Sequence, residues 1–278
     1  MMEDNAVAPV SAVIPCYRCA ATIGRAVASI AQQTRKPAEV ILVDDASGDG
    51  TLEILHGMAQ QHAGWIKVIA LNKNQGAASS RNAGWEAASQ PYIAFLDSDD
   101  AWHPRKIEIQ YAYMSAHPEV MLCGHGHRVV RQADRMPDWE LAGWELGEWE
   151  AERIHKRALL LSNKFAPTSA MLRREVDQRF VNGRRYMEDH MLWLELVCGG
   201  CVVTKLKAEL SAVYKNPFGV AGLSAHLWPM EKGELSNYAR LHGSGYINLA
   251  EWLGLGLYSL LKYVRRLLIY WLHLRWKI

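Results

Sequence analysis

Two carboxylates stand two residues apart, at Asp97 and Asp99, directly after the apolar run Tyr92–Leu96. Hard divalent cations prefer oxygen ligands, and a diphosphate group supplies the ligands that two carboxylates leave open. The spacing therefore predicts a site for a divalent cation and a phosphorylated substrate at the end of a buried strand. The other interpretation is a solvated acidic turn that caps a helix beginning at Pro104.

A second acidic pair, Asp44 and Asp45, follows the apolar run Val40–Val43. Carboxylates at a strand end can accept hydrogen bonds from a nucleotide base or from ribose hydroxyls, although Asp is also common in turns and helix caps. Arg81 lies one turn inside a predicted helix that starts at the same edge. Its guanidinium is a candidate for contact with a base or a diphosphate, and the alternative is an exposed surface arginine.

The elements that must hold these residues follow a regular order. Short runs of β-branched residues alternate with helical stretches from Val10 to Leu96, which is typical of a parallel, doubly wound α/β sheet. Ligands bind such sheets at the carboxyl ends of the strands, so the polar residues after the first, second and fourth strands are expected to form one site. The predicted strands are 10–14, 40–43, 66–70 and 92–96, and the predicted helices are 20–33, 51–61 and 77–88.

Composition narrows the classes of function. The chain has 278 residues, of which 50% are hydrophobic, and its formal net charge is +2. A folded core is therefore expected, and the charge gives no sign of the basic field of a nucleic-acid-binding protein. Residues 1–9 contain no apolar run, so no secretory signal is expected and the predicted location is cytoplasmic.

The five cysteines are an odd number and do not indicate a disulfide framework. Two pairs, Cys16 with Cys19 and Cys198 with Cys201, have a spacing that zinc sites also use. The first pair follows a predicted strand and the second lies in an apolar stretch. Ordinary buried thiols are therefore the favoured interpretation.

The last thirty residues form a different pattern. Apolar residues fall on one helical stripe, while Lys262, Arg265 and Arg266 lie on the far side. No uncharged run is long enough to span a bilayer comfortably, whereas basic residues and tryptophans beside an apolar stripe suit a helix that lies in the headgroup region. The alternative is a helix that packs on the domain or on a partner. The stripe consists of Leu253, Leu257, Leu260, Val264, Leu267, Trp271 and Leu274.

Taken together, four segments closely resemble the family 2 glycosyltransferases of the GT-A fold. The resemblance is strong over residues 9–125 and looser to about residue 215. It implies an α/β fold with a Rossmann-like, mostly parallel sheet flanked by helices and a C-terminal amphipathic helical tail. The segments are Ile14–Tyr17, Val43–Ser47, Gly76–Gly84, and Phe95–Asp100 followed by Trp102, Pro104 and Lys106, in one order and at matching intervals.

The resemblance also implies roles for individual residues. Asp99 would hold the metal, with Asp97 in support, and in this family the metal is usually Mn²⁺ or Mg²⁺. The residues that would bind the nucleotide-sugar are Pro15, Tyr17, Asp44, Asp45, Arg81, Asp97 and Ser98.

Glu188 and Asp189 resemble the Glu–Asp pair that opens a helix in this family, here over 191–197. Asp189 would accept the proton of the acceptor hydroxyl while that oxygen attacks the anomeric carbon opposite the diphosphate, which inverts the configuration. The alternatives are that the pair only complements a helix N-terminus, or that His190 is the base.

The resemblance divides the chain into a catalytic domain, 9–215, with a nucleotide-binding half (9–125) and an acceptor- and base-bearing half (126–215). A loop and a membrane-associating helical region follow over 216–278. Many relatives place a basic or histidine-bearing loop over the donor, whereas this chain has Tyr214–Gly219, in which Lys215 is a candidate substitute. The segment Cys123–His127 has metal-binding residue types, but the family pattern favours a strand there.

The predicted function is inverting, metal-dependent transfer of a hexose from a nucleotide diphosphate-sugar, UDP-sugar favoured, to a saccharide or lipid-linked saccharide. Such a reaction belongs to the synthesis of cell-surface polysaccharide, lipopolysaccharide or glycolipid, here at the inner face of the cell membrane. An inactive sugar-nucleotide-binding protein is the alternative, and the intact Asp97, Asp99 and Asp189 argue against it. A nucleotidyltransferase would need a glycine-rich phosphate loop after the first strand, where Arg18 is the only basic residue.

Overall fold

The computed structural model describes residues 7–130, 139, 150–214 and 226–275, with side chains up to Ile269 in the last segment. Lys215, the candidate substitute for the basic loop of relatives, and the rest of 215–219 lie outside the described residues, as do the side chains of Trp271 and Leu274.

Four parallel strands form the first half of the sheet, in the spatial order β3-β2-β1-β4. Helices cover both faces, so the strand interiors are apolar on both sides. Ala12 and Ile14 point into one core, whereas Val13, between them, points into the other. These elements are β1 (Val7–Cys16), α1 (Ile23–Ala31), β2 (Lys36–Asp44), α2 (Thr51–Gln61), β3 (Ile66–Ala70), α3 (Ala77–Ala87) and β4 (Tyr92–Phe95).

The second half of the sheet is mixed. Its order is β4-β8-β6-β9-β5, with β7 also paired to β9, and β8 lies antiparallel to both β4 and β6. The elements are β5 (Ala101–Trp102), α4 (Lys106–Ala116), β6 (Val120–Val130), β7 (Ala151–Arg153), α5 (Lys156–Leu161), a 3₁₀ helix (Pro167–Ser169), β8 (Met171–Arg173), α6 (Glu188–Cys198) and β9 (Val202–Tyr214).

The predicted fold class is confirmed: an α/β sheet with flanking helices. The strand predicted over 66–70 and the helix predicted over 51–61 have the observed bounds. The first helix begins at Ile23 rather than at residue 20, because Thr22 and Ile23 both donate backbone hydrogen bonds to Cys19 O and so form a turn first. The segment Cys123–His127 lies within β6, as predicted.

Helix α3 lies unusually close to the sheet because of Gly84. A Cβ atom at this position would stand 2.3 Å from Val13 Cγ1, closer than real side chains approach, and 3.2 Å from Val43 Cγ2, which is a tight contact. The glycine therefore lets α3 pack directly on β1 and β2. One turn earlier on the same helix, Arg81 is carried below the surface and is only 4% exposed.

Two helices complete the described chain, α7 (Leu227–Gly243) and α8 (Leu249–Arg275). Helix α7 packs on α6, and α8 packs on α7 through ring contacts and polar contacts. Trp252 stacks on His242, Ser259 Oγ donates to Glu231 Oε1 (2.7 Å), and Lys262 pairs with Glu234. Within the described residues, no helix is both long enough and apolar enough to cross a membrane.

The apolar stripe of α8 faces outward instead of packing on the domain. Those of its leucines and valine whose side chains are described are 39% to 62% exposed. Leu249, Leu261 and Leu268 widen the stripe beyond the predicted positions. The described exposed positions on this face are Leu249, Leu253, Leu257, Leu260, Leu261, Val264, Leu267 and Leu268.

Candidate active site

The polar loops after β1 and β2 meet at one edge of the sheet. The register places Cys16 opposite Asp44, so the two strands end at the same level. Asp45 N donates to Cys16 O (2.8 Å), and Arg18 N donates to Ser47 Oγ (3.0 Å). The crevice that the strand order predicts is therefore formed by loops that hydrogen-bond to one another.

Several residues in and near these loops have strained backbone conformations. Among the described residues, three that are not glycine have a positive φ: Arg18 (49°), Ala46 (54°) and Met187 (58°). The first two lie in the loops after β1 and β2, and Met187 directly precedes α6. Such conformations cost free energy and persist where surrounding contacts enforce them, which is common at functional sites.

Asp44 and Asp45 are each 3% exposed and hold these loops in place. Asp44 accepts hydrogen bonds from the backbone N–H and the hydroxyl of Ser47. Asp45 accepts from Gln75 N (2.7 Å) and Gly76 N (2.8 Å), which ties the β2 loop to the start of α3. A carboxylate has further acceptor capacity, so these contacts are compatible with the predicted contacts to a nucleotide, which stay a prediction.

The other predicted nucleotide contacts differ in exposure. Pro15 is buried at the end of β1, whereas Tyr17 is 42% exposed at the mouth of the crevice. Ser98 is partly buried and lies within hydrogen-bond reach of the Cys19 thiol. Cys16 and Cys19 are buried free thiols beside each other, and hydrogen bonding with Cys16 lowers the pKa of Cys19.

Arg81 joins the two halves of the candidate site. Its Nη2 lies 2.6 Å from Asp97 Oδ1, and its Nη1 lies 3.0 Å from Glu188 Oε1. Burial disfavours the guanidinium charge, but the two carboxylates outweigh this and raise the pKa of Arg81. The alternative of an exposed helix arginine is therefore wrong.

Glu188 and Asp189 begin α6, three residues earlier than the predicted helix. Burial raises the pKa of Glu188, with Arg81 opposing the shift, and burial also raises the pKa of Asp189. Asp189 Oδ2 accepts a hydrogen bond from Asn163 Nδ2 (2.7 Å). The two acids therefore do more than complement a helix N-terminus, because each has a specific partner from another element.

His190 is fully buried, and its Nε2 lies 2.7 Å from Leu159 O. A carbonyl oxygen only accepts, so Nε2 carries the proton and is used in this contact. Burial also lowers the pKa of His190. The ring therefore has a structural role inside the protein, which leaves Asp189 as the stronger candidate base.

The predicted metal ligands lie at the open edge. Asp99 is exposed and Asp97 is partly exposed, whereas Asp100 is buried and accepts from Tyr214 N (3.3 Å). No group of three or more His, Cys, Asp or Glu side chains within the described ranges is arranged to hold a metal. Two accessible carboxylates fit a hard cation whose other ligands come from a diphosphate and water.

Sequence reasoning missed two residues of this region. Asn163 belongs to no motif, and only its contact with Asp189 reveals it. Arg25 Nη2 donates to the backbone oxygen of Asp99, and its guanidinium lies 3.7 Å from the ring centre of Tyr214. No sequence pattern marks either residue, because each contacts a residue that is far away in the sequence.

Comparison with known proteins gives consistent results. The family described as Glycosyl transferase family 2 matches residues 11–180. WfaP of Escherichia coli, named UDP-Glc:alpha-D-GlcNAc-diphosphoundecaprenol beta-1,3-glucosyltransferase, is 39% identical over 193 residues, which are 69% of this chain and 71% of WfaP. Three other curated glycosyltransferases are matched over only 30% to 42% of their own lengths.

Two solved structures share the fold. S. aureus TarS (residues 1–349, in complex with UDP-GlcNAc) superposes with a TM-score of 0.67 at 19% identity, covering 90% of this chain and 71% of TarS. The mannosyltransferase PcManGT from Pyrobaculum calidifontis, in complex with GDP-Man and Mn²⁺, gives 0.58 at 18% identity, covering 92% and 75%.

Proposed function

We propose, because this chain belongs to glycosyl transferase family 2, that it is an inverting glycosyltransferase that moves a hexose from a nucleotide diphosphate-sugar to an acceptor hydroxyl. The observation that carries the proposal is the position of Arg81. It pairs with Asp97, at the predicted donor end of the crevice, and with Glu188, which precedes the predicted base. One buried cation thus holds the donor-side and acceptor-side carboxylates together.

Asp189 is the proposed general base. Its partly buried carboxylate takes the proton of the acceptor hydroxyl as that oxygen attacks the anomeric carbon. The bond from the anomeric carbon to the diphosphate oxygen breaks on the opposite face, so the configuration inverts.

The donor is proposed to be a UDP-sugar. WfaP is named for UDP-Glc and TarS was solved with UDP-GlcNAc, and this chain is similar to both. The pocket would be lined by the loops after β1, β2 and β4 and by the start of α3. The proposed contacts are Pro15, Tyr17, Asp44, Asp45, Arg81, Asp97 and Ser98.

Asp99 and Asp97 are the proposed holders of Mn²⁺ or Mg²⁺. The Mn²⁺ in the PcManGT complex supports a divalent cation in this fold. A bound cation would offset the negative charge that develops on the leaving diphosphate. Arg81 positions Asp97 for this role through their 2.6 Å contact.

The acceptor is proposed to be a lipid-linked saccharide at the inner, cytoplasmic face of the cell membrane, for the synthesis of cell-surface polysaccharide, lipopolysaccharide or glycolipid. WfaP is named for a diphosphoundecaprenol-linked acceptor. The outward apolar stripe of α8 matches a lipid surface. Apart from Lys262, which pairs with Glu234, residues 249–278 contain four Lys or Arg against one acid, Glu251. That charge complements anionic headgroups.

The test measures transfer from UDP-, GDP- and dTDP-sugars with Mn²⁺ or Mg²⁺, comparing wild type with Asp99→Ala and Asp189→Asn. Glu53→Gln, at an exposed acid on α2, is the matched control. Metal-dependent activity with one donor that collapses in both site variants, with inverted product by NMR, is expected. Tight nucleotide binding without turnover on any acceptor would instead support the inactive binding protein.

A further inference from the structure

Three helices converge on the last turn of α5. The final carbonyls of a helix have no partner within it and need donors from elsewhere. Here each of the last three carbonyl oxygens accepts a hydrogen bond from a side chain of a different helix: Leu159 O, Leu160 O and Leu161 O. The donors are His190 Nε2 of α6 (2.7 Å), Tyr238 Oη of α7 (2.8 Å) and Lys262 Nζ of α8 (3.2 Å).

The α8 contact is a charged one that is mostly buried. Lys262 Nζ lies 2.5 Å from Glu234 Oε1, and the two side chains are 20% and 3% exposed. Glu234 Oε1 also lies 2.8 Å from Tyr238 Oη, so Glu234 and Leu160 O share the single hydroxyl proton of Tyr238. A buried ion pair of this kind holds α8 in position against α7, because leaving either charge buried without its partner would cost free energy.

Asn163 follows this junction by two residues. Its Nδ2 donates to Asp189 Oδ2 (2.7 Å), which restrains the rotation of that carboxylate. On the other side of Asn163, Phe165 is 4% exposed and packs against Trp193 of α6. Asn163 is therefore held between two fixed points and presents its amide to the carboxylate.

We propose that Asn163 is a positioning residue for Asp189 and that α8 helps to hold Asn163 in place through Lys262. The inference rests on the proposed function, because it requires Asp189 to be the base. It adds a second role for α8. The helix that presents an apolar stripe outward also braces, from its opposite face, the segment that orients the base.

The first experiment measures kcat and donor KM of full-length Asn163→Ala and Asn163→Ser, with UDP affinity by calorimetry. Asn163→Ala should lower kcat roughly 10- to 100-fold while donor KM and UDP affinity stay within about twofold, because only orientation is lost. Asn163→Ser keeps a donor and should recover part of the loss. Asn72→Ala, at an exposed asparagine after β3, is the control.

The second experiment replaces both members of the buried pair, Lys262→Met with Glu234→Gln, so that no lone charge is left behind. With a soluble acceptor, kcat should fall about 3- to 10-fold at unchanged donor KM, whereas Arg157→Met, at an exposed position on α5, should have no effect. The variant Asp189→Asn is measured alongside. If it keeps the wild-type kcat, Asp189 is not the base and the proposed function itself is contradicted. If Asp189→Asn is inactive but Asn163→Ala, or the paired variant, keeps wild-type kcat or loses only donor affinity, the positioning inference alone is wrong.

Discussion

Arg81 carries a positive charge into the interior between two carboxylates from distant parts of the chain. Asp97 follows β4 and Glu188 begins α6, so the guanidinium links the sheet edge to the base helix. Its depth follows from Gly84, which lets α3 approach the sheet. A planar guanidinium can hold two carboxylates at once, whereas an ammonium is a single compact charge.

Replacing Arg81 tests this arrangement. Arg81→Met leaves Glu188 buried without its cation, and we expect the free energy of unfolding to fall by about 3 to 5 kcal/mol, together with loss of transfer activity. Arg81→Lys should lose less stability but most of the activity, since it cannot hold both partners. Urea denaturation and the transfer assay measure these effects. Equal stability of Arg81→Met and wild type would contradict the pairing.

Burial of Asp189 predicts the pH dependence of catalysis. A base works when ionised, and burial raises the pKa of Asp189 above the usual value of about 3.9, with Glu188 and Asp97 nearby and with Arg81 and Asn163 opposing the shift. As the pH is lowered, kcat/KM should therefore begin to fall at a pH above the usual Asp pKa of about 3.9. A pH–rate profile at saturating metal checks this. An acid limb at or below the usual value would argue against Asp189 as the base.

Among the secondary-structure elements, α8 turns most of its leucines away from the domain. Ser259 and Lys262 face α7, and Trp252 and Leu255 pack against the core, whereas the stripe that includes Leu253 and Leu257 faces outward. Exposed apolar stripes of this size indicate an interaction surface rather than a folding surface. Deleting residues 252–278 would remove the stripe but would also uncover Glu234, which is 3% exposed, so point substitutions are the cleaner test.

The paired variant Leu257→Glu with Leu261→Glu should weaken sedimentation with anionic lipid vesicles roughly 100-fold, because burying two leucines contributes about 3 kcal/mol. Both side chains are more than 60% exposed, so the fold should persist by circular dichroism. Ile54→Glu, at an exposed position on α2, is the matched control and should bind vesicles like wild type. If the leucine variant sediments with vesicles like wild type, the proposal that this stripe binds the membrane is wrong.

At the scale of the whole molecule, one buried acid ties the parallel strands together at the end of the sheet away from the site. Glu39 on β2 accepts from Ser11 Oγ of β1 (2.6 Å) and from Ser89 N before β4 (2.6 Å), and it pairs with Lys67 Nζ of β3 (2.6 Å). Burial raises the pKa of Glu39, but these partners outweigh it and lower the value to about 2.

Glu39 therefore predicts acid sensitivity of the fold. The carboxylate stabilises the protein above the unfolded-state pKa of about 4.3, and this contribution is lost as the pH falls towards 2. Glu39→Gln should lower the free energy of unfolding by about 3 kcal/mol at pH 7, and the difference from wild type should shrink in acid. Urea denaturation at several pH values measures both. A variant as stable as wild type at neutral pH would contradict this account.

Local sequence pattern was enough to predict the helices and strands of the first hundred residues and the sheet edge where their polar ends meet. In the strand 66–70 and the helix 51–61, the spacing of apolar residues over a few neighbouring positions is typical of the observed element. Neighbouring residues alone were therefore enough to predict these two elements. The motifs identified the family for the same reason, since their residues, such as Asp97 and Asp99, lie close together in the chain. The roles of the individual site residues stay predictions.

The tertiary structure alone decided the contacts between distant residues. Strand β8 lies antiparallel between β4 and β6, Glu188 reaches Arg81, Asn163 reaches Asp189, and α8 turns its leucines outward. No pattern of neighbouring residues predicts these contacts. Which strands pair and which way a helix face points depend on the surfaces that remain uncovered after the rest of the chain has packed. A helical pattern shows that a stripe exists, and only the packing of α7 against the opposite face of α8 shows where that stripe points.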